Sequence, residues 1–121
     1  MGKISDDLKK AIAEIQPSFV ATADQEGKPN VSAKGSITVL DDDHLVFAEL
    51  RSPRTMDNLK VNSNLSIIAL NPETKKGWRV WGRAVELMTS GDAFDKFTEK
   101  YKAMGKVNYA VKILVEKGMA F

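Results

Sequence analysis

The sequence predicts a mainly β fold with flanking helices, in which about six strands close, or nearly close, into an antiparallel barrel. Three observations carry this. The runs "SFVATAD", "VSAKGSITVL" and "LVFAEL" are separated only by the short turns "QEGKPN" and "DDDH", the spacing of an antiparallel meander. Three later runs, "LSIIAL", "WRVWGRAVEL" and "VNYAVKILVEKG", also read as strands, and few helices accompany them. Closure would remove the exposed edges of a sheet of that size. No repeat, low-complexity stretch or linker interrupts the 121 residues, so a single domain spanning 1–121 is expected.

The elements follow in order. Ser5 to Ile15 reads as an amphipathic helix: Ser5 can cap it, Asp6 and Asp7 suit its first turn, and Leu8, Ala11, Ile12 and Ile15 recur at helical spacing. Pro17 ends it, and the first strand follows. The second strand contains Gly35, a candidate bulge or point of close approach. After the third strand, Ser52 and Pro53 suit the N-cap and first position of a short helix whose apolar spacing runs through Met56, Leu59 and Val61. "LSIIAL" is a buried strand and "NPETKKG" a loop. In "WRVWGRAVEL", Trp78, Val80, Gly82 and Ala84 face one way, and Arg79, Trp81, Arg83 and Val85 the other. A helix begins near Ser90, carries Ala93, Phe94, Phe97 and Tyr101 as its stripe, and is closed by Gly105. The last strand directs Val107, Tyr109, Val111, Ile113 and Val115 to one face.

A formal net charge of +2 makes no broad electrostatic case for nucleic acid. The absence of cysteine removes disulfides, thiolate chemistry, iron–sulfur clusters and the usual structural zinc sites, and it fits a cytoplasmic location. "MGKISDDLKK" lacks the apolar run of a signal peptide, and no segment approaches the roughly 20 apolar residues of a membrane span.

One octapeptide raises a question of chemistry. In "RSPRTMDN", Arg51 and Arg54 flank the start of a helix, the end whose partial positive charge prefers acids by roughly 0.3–1 kcal/mol per exposed charge. An anion there would reverse the sign. It would accept bonds from the free N–H groups of the first turn, with Arg54, Thr55 and Arg51 adding donors of on the order of 1.5–3 kcal/mol each. A phosphate dianion suits such a site best, since arginine offers it a planar fork. The plainer reading is a common Ser-Pro helix start, with Arg54 paired to Asp57 along the helix and Arg51 solvated at a strand end. Ser52 cannot serve fully as helix cap and as phosphate ligand at once.

Other constellations carry less. "DDDH", Asp41 to His44, offers oxygen and imidazole ligands, but consecutive residues on a tight turn rarely converge on one metal, so a solvated hairpin turn is expected and no metal site. Trp78 and Trp81, with Arg79 and Arg83 beside them, could stack on bases as in single-strand binders; the alternative places Trp78 in the core and Trp81 at an interface. No nucleophile–base or paired-carboxylate arrangement can be argued, and no catalytic side chain is assigned.

The run "GKPNVSAKGSITVLDDDHLVFAELRSPRTMDNLKVNSNLSIIAL", followed by "GWRVWGRAVEL", resembles the pyridoxamine 5′-phosphate oxidase-like family of FMN-binding split barrels. The likeness spans roughly Ser18 to Leu87, and its most specific pieces are "SAKG", the Arg-Thr pair before "NL" and the "GxRxxGxA"-like strand. It implies a six-stranded antiparallel split β-barrel and a homodimer with FMN at the subunit interface. Arg54 and Thr55 then fall where such proteins hold the flavin phosphate, with Asn58 on the helix behind it. Ser32, Ala33 and Lys34 fall on the strand along the phosphate and ring. Ala48, Glu49, Leu50, Arg51 and Ser52 fall on the segment whose backbone meets the pyrimidine edge. Trp81 and Arg83 lie on a strand that approaches the cofactor from either subunit. Lys34 would place positive charge near the ring or phosphate, favouring the reduced flavin.

The family's true pyridoxamine phosphate oxidases are longer and carry substrate-binding basic residues and a histidine near the C-terminus. The only histidine here is His44, in a turn, which argues against vitamin oxidation. The expectation is a cytoplasmic homodimeric FMN protein that passes electrons from a donor such as NAD(P)H to a small acceptor, in the manner of a small flavin reductase. A non-enzymatic FMN carrier, a deazaflavin- or haem-binding relative and a small single-stranded nucleic-acid-binding barrel are the alternatives. The leading reading has neither a nucleic acid nor a membrane as partner.

Overall fold

A computed structural model describes residues 2–121. The elements run α1 (Asp6–Glu14), β1 (Ser18–Ala23), β2 (Pro29–Lys34), β3 (Thr38–Val39), β4 (His44–Glu49), α2 (Pro53–Val61), β5 (Asn64–Leu70), β6 (Gly77–Met88), α3 (Asp92–Tyr101), a short 3-10 turn (Lys102–Met104) and β7 (Tyr109–Ala120). All seven strands belong to one antiparallel sheet in the order β2-β1-β5-β6-β7-β4-β3.

The two edge strands, β2 and β3, are neighbours in sequence. Only residues 35–37 join them, so the sheet must curl until its edges lie within the reach of that link, at most about 14 Å from Lys34 to Thr38. The result is the split half-barrel that the sequence predicts, with seven strands in place of six. The difference has a local cause. The single run expected over 31–40 bends at Gly35 and crosses from one sheet edge to the other. At the crossing, the Ser36 hydroxyl replaces ladder partners of β4: Oγ accepts from Ala48 N at 3.0 Å and lies 3.3 Å from the Ala48 carbonyl. On the opposite side, Ser18 Oγ donates to the Lys34 carbonyl at 3.1 Å.

The helix starts differ. Ser5 caps α1 as expected, its Oγ accepting from Leu8 N at 3.2 Å. α1 buries Leu8 and Ile12 and is tied to β6 by Trp78 Nε1, which donates to the Ile15 carbonyl at 2.9 Å. Gly118 of β7 permits the approach, since a Cβ there would lie 2.6 Å from Leu8 Cδ2. α2 packs on β1 and β2 through Met56 and Leu59, while Val61 is exposed. In α3 the expected stripe is only half-buried, and no residue of the helix is fully covered.

Trp78, Phe47, Leu8, Ile12, Leu45 and Ile67 are among the side chains that fill the single core. The outer face of the sheet is also apolar over β2, β1 and β5. Val31, Phe19, Ile68 and Leu70 stand 62%, 46%, 40% and 53% exposed, far more than core residues of the same type. Phe19 sits between Ala33 and Ile68 in the register, and the band continues to Trp81 of β6 opposite Ser66.

Candidate functional site

The chain crossing at residues 35–37 and the link from β4 to α2 converge on one cavity of about 390 Å³. β2 and the crossing contribute Ser32, Ala33, Lys34, Gly35 and Ser36; the β4 end and the link contribute Ala48, Leu50, Arg51 and Ser52. Tyr101 and Met104 reach in from α3 and the 3-10 turn. The volume falls within the roughly 300–1,000 Å³ of small-molecule pockets.

A buried polar relay backs one wall: Lys34 and Ser52 line the cavity, while Glu49 lines a second pocket on the other side, with Met56, Lys60 and Tyr109. Lys34 Nζ donates to Ser52 Oγ at 2.5 Å, and Glu49 Oε1 accepts from Ser52 N at 2.6 Å and from Ser52 Oγ at 3.3 Å. Lys34, Glu49 and Ser52 are all less than a tenth exposed, so the two charges meet through one hydroxyl. Burial lowers the Lys34 pKa below its ordinary 10.5, and the Glu49 carboxylate opposes that shift. Lys34 Nζ also lies 5.5 Å from the Phe47 ring centroid. The strand end is braced from behind by Asn108, whose N donates to the Glu49 carbonyl at 2.8 Å and whose Nδ2 donates to the Leu50 carbonyl at 3.0 Å.

This relay corrects one expectation. Ser52 is the N-cap residue of α2 by position, but its side chain makes no capping bond, because the hydroxyl is held by Lys34 and Glu49. Its backbone, at φ −128° and ψ 66°, departs from the extended form of the Ser5 cap, at φ −68° and ψ 165°. Pro53 has no N–H, and the first intrahelical bond runs from Met56 N to the Ser52 carbonyl at 3.1 Å. Among the described residues, the N–H groups of Arg54 and Thr55 therefore have no partner. Among the described residues, Arg51 and Arg54 form no ion pair with a carboxylate, so the pairing of Arg54 with Asp57 is not made.

The remaining candidates divide. Thr55 is fully buried; its Oγ1 lies 2.8 Å from Ser32 Oγ and accepts from Asn30 Nδ2 at 3.3 Å, tying the helix start to β2. Arg54 and Asn58 line an adjoining groove with Asn30 and Asp57 rather than the main cavity. Asn58 Nδ2 donates to Thr22 Oγ1 at 3.1 Å, which anchors α2 to β1. Trp81 and Arg83 stand on the outer face of β6, outside the cavity wall. Trp81 lies between Arg79 and Lys117, 4.6 Å and 5.4 Å from its ring, and Arg83 Nε is 3.9 Å from Glu116. Ser36, Tyr101 and Met104 were not foreseen in the wall. Nothing local distinguishes them: Tyr101 reads as one more residue of a helix stripe.

The "DDDH" turn does not converge. Asp41 accepts from Asp43 N and lies against His44 Nδ1 at 2.8 Å, Asp42 pairs with Lys9, and Asp43 accepts from Lys3 N. Among the described residues, no group of three or more His, Cys, Asp and Glu side chains is placed to hold a metal, and no helix is long and apolar enough to cross a membrane.

The fold recurs in solved proteins. HupZ of Group A Streptococcus is 28% identical, with a TM-score of 0.82, covering 98% of this chain and 94% of its own. An FMN-binding protein from Syntrophomonas wolfei is 17% identical with a TM-score of 0.86, covering 93% and 82%. HutZ, the heme storage protein of Vibrio cholerae, is 18% identical with a TM-score of 0.69, covering 98% and 94%. A search of curated proteins finds no match. Residues 4–118 match the family described as pyridoxamine 5′-phosphate oxidase. Together with the curled sheet and the cavity at its crossing, that match over nearly the whole length means that the chain belongs to the pyridoxamine 5′-phosphate oxidase-like split-barrel family.

Proposed function

We propose that this protein binds a flavin nucleotide, FMN, with the phosphate at the start of α2 and the ring in the main cavity. The observation that carries the reading is the uncapped helix start. Among the described residues, the backbone donors of Arg54 and Thr55 have no partner, and the two arginines that flank this helix start in sequence, Arg51 and Arg54, pair with no carboxylate. Left alone, that arrangement opposes the helix dipole; with a phosphate it becomes a set of charge-assisted bonds. Ser32 supplies a hydroxyl on the cavity wall, held by the buried Thr55 behind it, and Lys34 supplies a buried cation there.

The apolar sheet face supports a second copy as partner. The exposed band of Val31, Phe19, Ile68 and Leu70 runs into Ala33, which lines the cavity, so a symmetric dimer through this face would cover the band and wall the ligand from a second side. Trp81, on the same face, would then approach from the partner.

A bound flavin supplies electron transfer, here between a reduced donor such as NAD(P)H and a small acceptor. The chain's own residues bind and orient: the α2 start fixes the nucleotide tail, the 48–52 segment presents backbone to the ring edge, and Lys34 holds positive charge beside it. Turnover is tested apart from binding, since a flavin carrier would need the same cradle.

The test is a spectroscopic titration of the purified protein with FMN, riboflavin, a deazaflavin nucleotide and haem. The proposal expects FMN to bind more tightly than riboflavin, which lacks the phosphate. A strong haem spectrum with no flavin affinity overturns it. His44, the only histidine, offers the cavity no axial ligand, since it begins β4 while the cavity lies at that strand's other end, roughly 17 Å along it.

A further inference from the structure

We infer that Tyr101 and Met104 form a closing cover for the flat ring of the ligand, carried on an arm, residues 92–104, that pivots at Gly91 and Gly105. This rests on the flavin reading above and assigns the ring's outer cover to a segment that reading does not use.

Four observations lead to it. First, Tyr101 and Met104 line the cavity, although every other contribution to its wall comes from β2, the chain crossing, the end of β4 and the β4–α2 link. Second, the arm is held down lightly: neither α3 nor the 3-10 turn contains a fully buried residue, and Met104 is 69% exposed. A segment with so little covered surface opens at low cost relative to the sheet. Third, the arm ends at two glycines in the positive-φ region, Gly91 at +98° and Gly105 at +141°, where other residues are strained. Fourth, Gly105 sets the closing end of the arm against the cavity floor; a Cβ added there would lie 3.6 Å from Leu50 Cδ2 and 3.9 Å from Arg51 Nη2.

The side chains suit the task. Tyr101 stacks on Phe97 at a centroid distance of 5.7 Å, so its ring is already held flat by the arm itself. It also borders the groove beneath α1, beside Gly35 and Ile37, so the ring stands at the partition between two spaces. Met104 is an adaptable apolar side chain with a polarizable sulfur, and it stacks well on aromatic edges. Together they offer an aromatic face and a thioether to a planar heterocycle; the Tyr101 hydroxyl is the one group of the pair with a bond to offer a phosphate, and Tyr101→Phe removes it while keeping the ring.

That separation defines the experiment. Dissociation constants for FMN and riboflavin are measured for the wild-type protein and for Tyr101→Ala, Tyr101→Phe and Met104→Ala, with amide hydrogen exchange over residues 92–106 in the free and FMN-loaded states. Tyr101→Ala should weaken both ligands alike, by roughly tenfold, and Tyr101→Phe should restore most of the affinity. Met104→Ala should weaken both by a smaller factor. Exchange in the arm should slow on loading. If wild type binds both flavins and Tyr101→Ala binds them as tightly, or the arm exchanges equally fast when loaded, the cover is refuted while the flavin reading stands. If wild type binds neither flavin, both fall.

Discussion

Replacing Arg54 with alanine should move stability and binding in opposite directions. In the free protein, Arg54 sits in the first turn of α2 without a carboxylate partner, an exposed cation at the positive end of the helix dipole. Its removal should relieve about 0.3–1 kcal/mol. For a domain of this size that raises Tm by roughly 1–4 °C. In the complex the same side chain would add a charge-assisted bond to the phosphate. Such bonds contribute about 1.5–3 kcal/mol when well made, and exposure brings this one to about 1–2 kcal/mol, roughly 5- to 30-fold in the FMN dissociation constant. Riboflavin has no phosphate, so its affinity should hold within twofold. Calorimetry of the free variant and paired FMN and riboflavin titrations read the two halves separately. A lower Tm with equal losses for both ligands would mean that Arg54 is structural and that the anion argument is wrong.

Four further outcomes follow from the structure. Because burial lowers the Lys34 pKa below 10.5 and a bound anion would raise it again, FMN binding should take up protons, and affinity should fall as pH rises from the lowered value toward 10.5; titrations across that range should show the fall, and Lys34→Met should abolish it. The free protein behaves oppositely: its unfolded chain keeps that proton longer, so the Lys34 contribution to stability grows as pH rises from the lowered value toward 10.5, a trend that urea midpoints at several pH values can follow. Ser52→Ala removes the hydroxyl between Lys34 and Glu49 and should cost about 1–3 kcal/mol in urea unfolding, well above the few tenths expected at a helix start whose serine caps nothing. Ile68→Glu places a charge in the exposed apolar band and should convert the proposed dimer to monomer in sedimentation, with Tm little changed for the isolated chain.

Where the sequence alone was sufficient, the controlling interactions were local or periodic. Ser5 caps α1 through a bond three residues away, and the alternation of β6, with Trp78 and Val80 inward and Arg79 and Trp81 outward, survives intact into the sheet. Of the set that the family resemblance implied around the β2 and β4 ends, Ser32, Ala33, Lys34, Ala48, Leu50, Arg51 and Ser52 share one cavity, while Glu49 lines another. What escaped the reading is non-local. No proline or turn cluster marks the bend that splits residues 31–40; the division comes from curling the sheet, which sends those residues to both of its edges. Ser52 carries every local mark of a cap, yet its hydroxyl is claimed by Lys34, which lies 18 residues earlier on another strand. Tyr101 and Met104 reach the cavity only because the arm folds back over it, and a helical period cannot distinguish that from ordinary packing.

The three-residue crossing has one more consequence. The two edges of the half-barrel are tethered at residues 35–37, and the cavity is built on that seam, with Lys34, Gly35 and Ser36 in its wall. On the flavin proposal, a molecule lodged there would bind only the folded form and act as a removable stitch: ligand at 100 times the dissociation constant would add about 2.7 kcal/mol to the cost of unfolding. The melting temperature would then become a gauge of cofactor supply.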